Sequence, residues 1–389
     1  MRAAVLLTTL VVSLMAIPVA AAPAQRLDWQ AIADKLVQQM ALQPGERVLL
    51  LAAPGQFEAL IPTLRLAVTR AGGVDLGSWT VLPLALLDGP NAAVVEQGER
   101  RSRPALLEIL RNVDVAVMLP GATPAHGEYS AMQEVLKGGH GRTIHFHWHA
   151  LGTPSAMALP GHPLPSQEVI DATYQRALLG ADCKAVGEVQ RRFAAAMRAG
   201  EVHVTSSAGT DLRFRIGDRP VNFQDGDASA ARARAAKVLV DREIELPCGV
   251  IRVAPLEETV EGTIAFPDAL WAGKKVAGLK LRFVQGRVTE VTAAQGREAV
   301  EEELQMGGEG ARAFREMALG FNPELAVPAT DPWIPYYGYG AGVVRFSLGN
   351  NEELGGAVRG KYVRWHFFAD MTVTVGGQVW VKGGKLQAP

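Results

Sequence analysis

Apolar positions in the first third of the chain repeat with the spacing of helices and buried strands. Between Trp29 and Met40 they recur at helical spacing, and a continuous apolar strand follows at residues 48–51. The same patterns predict further helices at residues 57–71, 103–111 and 132–136 and further strands at residues 80–84, 113–119 and 143–149. Strands that alternate with helices indicate a parallel sheet with helices on both faces. We therefore predict an α/β domain over residues 28–160.

The pattern changes after this domain. A stretch rich in proline, glycine and serine at residues 152–167 precedes a long helical pattern at residues 169–199, so residues 161–200 are interpreted as a linker and a long helix. Short segments of alternating apolar and polar residues follow, as expected for half-buried strands. They lie at residues 202–205, 211–216, 249–254, 262–266, 279–283, 288–291, 341–348, 362–367, 372–375 and 379–382. With one helix predicted at residues 299–316, the second domain, residues 201–386, is predicted to be α+β and largely antiparallel.

The composition is that of an ordinary globular protein. Of the 389 residues, 48% are hydrophobic and 20% are charged, and the formal net charge is −1. A chain of this length accommodates two domains. No excess of basic residues favours binding to a polyanion, so we expect no nucleic-acid partner.

The N-terminal residues have the pattern of a secretory signal. Arg2 precedes a short apolar run, and small residues suited to cleavage follow it. The run is short for a membrane span, and Pro18 interrupts its end. We expect a signal peptide over residues 1–24, export to the periplasm or the medium, and no stable membrane anchor after cleavage. In such a compartment the two cysteines, Cys183 and Cys248, either form a disulfide or remain free.

Histidines are concentrated in one region of the first domain. His145, His147 and His149 alternate on a predicted strand, which would place three imidazoles on one face. Six of the eight histidines fall within residues 126–162. Imidazole suits zinc, copper, iron or nickel, and three histidines can hold a catalytic zinc ion. The alternative is a partly exposed strand face without a metal, or histidines that are hydrogen-bonded in a core.

Six short motifs follow one another along most of the chain. They are LQPGERVL at residues 42–49, SAGTDL at 207–212 with DRP at 218–220, PCGVIRVAP at 247–255 with EGTI at 261–264, RFVQGRV at 282–288, EMALGFNP at 316–323 and RFSLGNN at 345–351. Together they resemble the aminopeptidase T family of exo-acting metallopeptidases. The resemblance implies a cleft on the second domain, peptide or amino-acid-like small molecules as ligands, and a tendency to form homodimers.

The same resemblance implies five metal ligands, of which this chain keeps two. Glu316 and His366 fall on ligand positions, and their spacing along the chain suggests that they converge on one site. Val250, Arg345 and Phe368 fall where the family has glutamate, histidine and aspartate. A dinuclear peptidase centre needs carboxylates to hold two cations and an open position for the attacking water. Arginine does not deprotonate in proteins, so Arg345 would repel such cations.

Two hypotheses follow for this position. In the first, the chain still hydrolyses peptides with a rearranged metal site. Glu316 and His366 are its catalytic residues, alone or together with the histidines at 145–149, and zinc, cobalt or manganese is the divalent metal. In the second, no metal binds, because a salt bridge between Glu316 and Arg345 fills the position. Arg345 then binds the carboxylate of a ligand, and the aromatic loop with Tyr337 and Tyr339 lines the pocket.

A third hypothesis concerns the first domain. His145, His147 and His149 would make the protein a metalloprotein that is not a peptidase. The end of their strand is expected to face the cleft between the domains, because open α/β sheets bind ligands there.

Overall fold

The computed structural model describes residues 27–55, 57–81, 102–149 and 155–387. The expected signal peptide, residues 1–24, lies outside these ranges, as do residues 82–84 of one predicted strand. Within the described ranges, no helix combines the length and the hydropathy needed to cross a membrane.

The first domain is built on a five-stranded parallel sheet. Its strands are β1 (Arg47–Ala52), β2 (Val74–Thr80), β3 (Val115–Met118), β4 (Arg142–Phe146) and β9 (Glu243–Leu246). They lie in the order β2-β1-β3-β4-β9, and every neighbouring pair is parallel. The helices that cover the sheet are α1 (Trp29–Met40), α2 (Leu60–Arg70), α3 (Arg103–Leu110), α4 (Gly127–Lys137) and α5 (Gln167–Gly180). The predicted α/β class of this domain is confirmed.

Both faces of this sheet are buried, which explains the continuous apolar strands. In β1, Val48 and Leu50 belong to the core that includes α1, α2 and α5. Leu49 and Leu51 belong to the core that includes α3 and α4. Successive side chains of a strand point to opposite faces, so a strand covered by helices on both sides is apolar throughout.

The second domain contains two antiparallel sheets. The five-stranded sheet has the order β19-β18-β16-β10-β8, with β8 (Val221–Gln224), β10 (Val250–Val253), β16 (Phe314–Gly320), β18 (Val344–Gly349) and β19 (Val363–Phe368). The eight-stranded sheet has the order β15-β14-β11-β7-β6-β20-β21-β22, with β6 (Val202–Thr205), β7 (Asp211–Phe214), β11 (Glu261–Ala265), β14 (Lys280–Val284), β15 (Arg287–Thr292), β20 (Thr372–Val375), β21 (Gln378–Lys382) and β22 (Lys385–Leu386). Phe214, Phe314 and Phe346 belong to the core that both sheets share. The predicted antiparallel character of this domain is confirmed.

The remaining elements complete the fold. They are β5 (Met157–Ala158) paired with β17 (Trp333–Ile334), β12 (Ala269–Trp271) paired with β13 (Lys274–Val276), and the helices α6 (Cys183–Ala199), α7 (Ala230–Arg234) and α8 (Arg297–Met306). Single 3-10 turns occur at Leu239–Arg242, Glu257–Thr259, Glu309–Arg312, Pro323–Leu325, Tyr336–Gly338 and Glu352–Leu354.

The single long helix predicted at residues 169–199 is two helices. α5 ends at Gly180, and Asp182 caps the start of α6 by accepting a hydrogen bond from the backbone N–H of Ala185. Such a cap satisfies a donor that the first turn of a helix leaves unpaired. The helical periodicity continues on both sides of residues 181–182, so the sequence pattern did not indicate the break between the two helices.

The helix predicted at residues 299–316 is also wrong in its second half. α8 ends at Met306, and Gly308 adopts a left-handed φ of 76° that a helix cannot continue through. Glu316 consequently lies on the strand β16 and not on a helix.

Two features connect the domains. β9 joins the sheet of the first domain although it follows α6 in the sequence. This strand was not predicted, because its alternation of glutamate and apolar residues covers only four positions. Cys183 and Cys248 form a disulfide, which ties the start of α6 to the segment between β9 and β10.

Candidate functional site

A cavity of about 330 Å³ lies between the two domains. It is bounded by the carboxyl ends of β3, β4 and β9, where open α/β sheets commonly bind ligands. We call it the interdomain cavity. Its lining includes Tyr129, His145, His147 and Glu245 from the first sheet and its helices, and Arg252, Tyr337, Arg345, Glu353 and Trp365 from the second domain.

Charged residues share one face of the five-stranded sheet. Arg252 of β10 pairs with Ala318 of β16, and Ala318 pairs with Arg345 of β18. Glu316 is two residues from Ala318 on the same strand, so its side chain points to the same face. The sheet thus places one carboxylate between two guanidinium groups, on the side that faces the interdomain cavity.

Glu316 is fully buried among arginines. The Nε of Arg252 donates a 3.0 Å hydrogen bond to it, Nη2 of Arg345 lies 3.2 Å from its other oxygen, and Nη1 of Arg315 lies 3.8 Å away. Burial alone would raise the pKa of Glu316, but the three guanidinium groups hold that pKa well below its usual range. The salt bridge expected between Glu316 and Arg345 is present.

Glu353 completes this group, which we call the arginine cluster (Arg252, Arg315, Glu316, Arg345 and Glu353). It accepts a 2.7 Å hydrogen bond from Nη2 of Arg252 and another from Arg315. Burial raises the pKa of Glu353, but the opposing effect of Arg252 and Arg315 is larger. The net pKa lies below its usual value, so the carboxylate is ionised at neutral pH. Three guanidinium groups face two carboxylates, which leaves one positive charge in excess.

His366 does not join Glu316. It pairs with Phe346 on β18, and this pair points to the opposite face from Arg345. There the His366 ring stacks on Trp271 at 5.1 Å and contacts Phe266 at 4.6 Å, while Arg364 donates a 3.1 Å hydrogen bond to its Nε2. The convergence of Glu316 and His366 expected from the sequence is therefore not observed.

The five positions that the resemblance implies as metal ligands do not fit a dinuclear metal centre. Val250 and Phe368 offer no ligand atom, and Arg345 places a permanent positive charge beside Glu316. His366 lies across the sheet.

A second polar group lies on the other wall of the cavity. His145 of β4 pairs with Glu245 of β9, and His147 follows two residues after His145. One ligand atom from each of these three residues lies within 4.8 Å of the others. Burial lowers the pKa of both imidazoles, so that both are neutral at pH 7. We call these three residues the histidine cluster.

His149, the third histidine of the predicted strand, lies apart from this cluster. β4 ends at Phe146, so His149 lies beyond the paired strand. The Nδ1 of His149 accepts hydrogen bonds of 3.0 Å from the backbone N–H groups of Ser155 and Ala156. The three-histidine face expected from strict alternation therefore reduces to His145 and His147.

The comparisons with known proteins bear on the fold. The sequence profile of a family described as thermophilic metalloprotease (M29) matches residues 184–326. The resemblance to metallopeptidases is confirmed. The solved structure of wild-type AmpT from Thermus thermophilus aligns with the structure of this chain. The TM-score is 0.62 at 16% sequence identity, and the alignment covers 92% of this chain and 99% of that one.

A second solved structure is similar to the same degree. The 2,5-dihydroxypyridine dioxygenase from Pseudomonas putida KT2440 aligns with a TM-score of 0.63 at 14% identity, over 94% of this chain and 99% of that chain. At such identities the two alignments show a shared fold. No curated protein sequence matches the chain.

The aromatic loop predicted to line a pocket contributes two different contacts. Tyr337 lines the interdomain cavity, with its ring 5.6 Å from that of His147 and 5.9 Å from that of Trp365. It adopts a left-handed φ of 50°, which is uncommon for a residue with a side chain. Tyr339 is buried, and its hydroxyl donates a hydrogen bond to Glu245. The loop therefore connects both walls of the cavity.

Sequence reasoning missed four residues of these clusters. Arg252 lies inside a recognised motif, and Glu245 and Arg315 lie beside recognised motifs, but none of them was given a role. Glu353 was not singled out. One signal was available for Glu245. Glu243 and Glu245 alternate with apolar residues in a short segment, and buried carboxylates need charged or hydrogen-bonding partners.

Proposed function

We propose that this protein is an aminopeptidase T-like binding protein. Its interdomain cavity receives the carboxylate of a peptide or amino-acid-like molecule through Arg345, and it does not hydrolyse peptides at the family's metal position. The observation that carries this proposal is the place of Arg345. By the resemblance, Arg345 falls on a metal-ligand position of the family, and its guanidinium lines a cavity bounded by both domains.

The surroundings of Arg345 favour an anion. The side chain is 3% exposed, and its Cζ lies 4.7 Å above the ring of Trp365. Its Nε is buried and has no hydrogen-bond partner among the described residues. A carboxylate in the cavity that accepts from the Arg345 guanidinium would form a charge-assisted hydrogen bond and would balance the excess positive charge of the arginine cluster.

The ligand class rests on the comparisons. The matched family is described as a metalloprotease, and one similar fold is that of an aminopeptidase T. A binding site that descends from a peptidase cleft would retain the dimensions of a short peptide. The homodimer implied by the resemblance belongs to the same proposal, and light scattering of the purified protein tests it.

Calorimetry with matched ligands tests the role of Arg345. Dipeptides with a free carboxylate are titrated beside the same dipeptides with an amidated C-terminus. We expect the amides to bind about 10- to 100-fold more weakly, because a hydrogen bond to a charged group contributes about 1.5–3 kcal/mol. The same loss is expected for the free acids with Arg345→Met. Arg359→Met removes an 82% exposed arginine and serves as the control.

Two results would overturn the proposal. One is equal affinity for the acid and the amide in the wild-type protein, which does not depend on any variant's folding. The other is hydrolysis of amino-acid arylamides, with added zinc, cobalt or manganese, that disappears in Glu316→Gln. Such turnover would show that a catalytic centre at Glu316 is active.

A second candidate function is metal-dependent hydrolysis of the same ligands by a relocated metal. The observation that favours it is the histidine cluster, which faces the same cavity as Arg345. Arylamide turnover that requires His147 but survives Glu316→Gln would select this candidate.

We also infer that the protein is exported. Residues 1–24 have the pattern of a signal peptide, and the Cys183–Cys248 disulfide suits an oxidising compartment. Cell fractionation and N-terminal sequencing of the purified protein test this. A cytosolic protein that retains Met1 and reduced cysteines would contradict it.

A further inference from the structure

We propose that His145, His147 and Glu245 form a mononuclear site for a divalent transition metal, zinc or iron(II), that opens on the interdomain cavity. This site is distinct from the five positions that the resemblance implies. Those positions lie on the second domain, whereas the histidine cluster lies on β4, β9 and the residue that follows β4.

The geometry supplies three ligands from one side. Because His145 and Glu245 are neighbours across two parallel strands, their side chains project to the same face. His147 follows on that face, and its ring lies 5.7 Å from that of His145 at an interplanar angle of 82°. The ligand atoms lie within 4.8 Å of one another and would move closer together to meet an ion at about 2.0–2.2 Å.

The donor set selects the class of metal. Two imidazoles and one carboxylate on one side of the ion form the arrangement that binds non-haem iron(II), and the same set binds catalytic zinc. In both cases coordination positions remain for water or a ligand, here on the cavity side. Magnesium and calcium prefer all-oxygen sites, so neither is expected to compete at millimolar concentration.

The surroundings orient these ligands. The hydroxyl of Tyr339 donates to Glu245. Thr143 Oγ1 lies 3.0 Å from Nε2 of His145, and the Tyr129 hydroxyl lies 2.9 Å from its Nδ1. When one ring nitrogen binds an ion, a partner on the other nitrogen fixes the ring, as is usual for metal-binding histidines. Burial also keeps both imidazoles in the neutral form that binds metals.

The site would also complement the proposed ligand. Contacts run from His147 to Tyr337, from Tyr337 to Trp365, and from Trp365 to Arg345. An anion in the cavity could therefore meet the metal at one end and the Arg345 guanidinium at the other. The placement of an anion between the metal and Arg345 rests on the proposed function, whereas the metal site itself does not.

Metal titration of the full chain, purified without a histidine tag and stripped with a chelator, tests the site. Zn²⁺, Co²⁺ and, without oxygen, Fe²⁺ are added separately, and binding is followed by calorimetry and by the visible absorption of Co²⁺. We expect one ion per chain. His147→Ala and Glu245→Gln should each weaken binding more than about 100-fold, since losing a ligand exceeds the 10- to 100-fold effect of losing an outer partner.

Matched variants make the result decisive. His203→Ala removes a histidine that hydrogen-bonds Asp211 far from the cluster and should leave binding unchanged. His149→Ala should also retain the metal, which separates this site from a three-histidine site. Arg345→Met should retain the metal but lose the carboxylate ligand, so failure of this site and failure of the proposed function are distinguishable.

The proposal is overturned if the wild-type chain binds no stoichiometric Zn²⁺, Co²⁺ or Fe²⁺ at micromolar concentration. It is equally overturned if Glu245→Gln binds the ions as tightly as the wild type. Glu245→Gln keeps the size of the side chain and an oxygen that accepts from Tyr339, so it remains informative if His147→Ala does not fold. Circular dichroism and thermal melting verify the fold of each variant.

Discussion

The two walls of the interdomain cavity carry polar clusters of opposite character. In the arginine cluster, Glu316 and Glu353 are already neutralised by permanent cations. In the histidine cluster, Glu245 faces two neutral imidazoles and the Tyr339 hydroxyl. The first arrangement repels a metal ion, and the second can bind one. The difference shows that glutamate and histidine side chains form a candidate metal site only where they share one face of a sheet and no guanidinium group already neutralises the carboxylate.

The largest expected effect concerns the arginine cluster. Glu316→Gln leaves three buried guanidinium groups with one carboxylate, and removing one partner of a buried ion pair costs about 3–5 kcal/mol. We expect the free energy of unfolding, measured with urea, to fall by that amount. A metal centre at this position would behave differently, since the chelator-treated wild type would then be destabilised as well.

The control for this prediction is a pair on the surface. Glu302 bonds to Lys274, and both side chains are about half exposed. Glu302→Gln should change the free energy of unfolding by less than about 1 kcal/mol. A similar small change for Glu316→Gln would show that the arginine cluster is not a stabilising ion-pair network.

A smaller effect, on metal affinity, is expected when a hydrogen-bond partner of the histidine cluster is removed. Tyr339→Phe removes the hydrogen bond to Glu245, and loss of such an outer partner weakens metal binding by about 10- to 100-fold. Calorimetry with Zn²⁺ measures this change. Tyr362→Phe is the matched control, because the Tyr362 hydroxyl bonds to Glu303 at 2.9 Å and does not line the cavity. Equal losses in the two variants would contradict the role of Tyr339.

The smallest expected effect concerns His366, on the far face of the second domain's sheet. Burial, helped by the nearby Arg364, lowers its pKa well below the usual value of about 6.5. In the unfolded chain His366 therefore becomes protonated below about pH 6.5, whereas in the folded chain it stays neutral. The free energy of unfolding consequently falls as the pH drops below that value. Relative to His366→Leu, the wild type should lose up to about 1.4 kcal/mol per pH unit between pH 6.5 and 5.

Urea unfolding at several pH values measures this difference. The buried imidazoles of His145 and His147 are present in both proteins, so their contributions cancel. His203→Leu serves as the control for the removal of a surface histidine, with its 26% exposed side chain. Parallel pH profiles for the wild type and His366→Leu would show that His366 is not held neutral in the fold.

Much of the fold followed from local patterns. The alternation of helices and apolar strands from Trp29 to Phe146 is set by burial on both faces, which any parallel sheet covered by helices imposes on its sequence. The six motifs led to the fold now shared with AmpT. Helix breaks were less predictable, because the apolar period continues across Asp182 and because the segment around Glu316 is apolar enough for either a helix or a strand.

Residue type and local periodicity were enough to predict the α/β domain and the largely antiparallel α+β domain that follows it. Only the tertiary structure decided which side chains meet. Strand register turned His366 away from Glu316, and pairing of β4 with β9 brought Glu245 beside His145 across about a hundred residues of chain. The physical reason is that side chains on a sheet alternate in direction, so a function built between strands depends on long-range pairing that no local pattern contains.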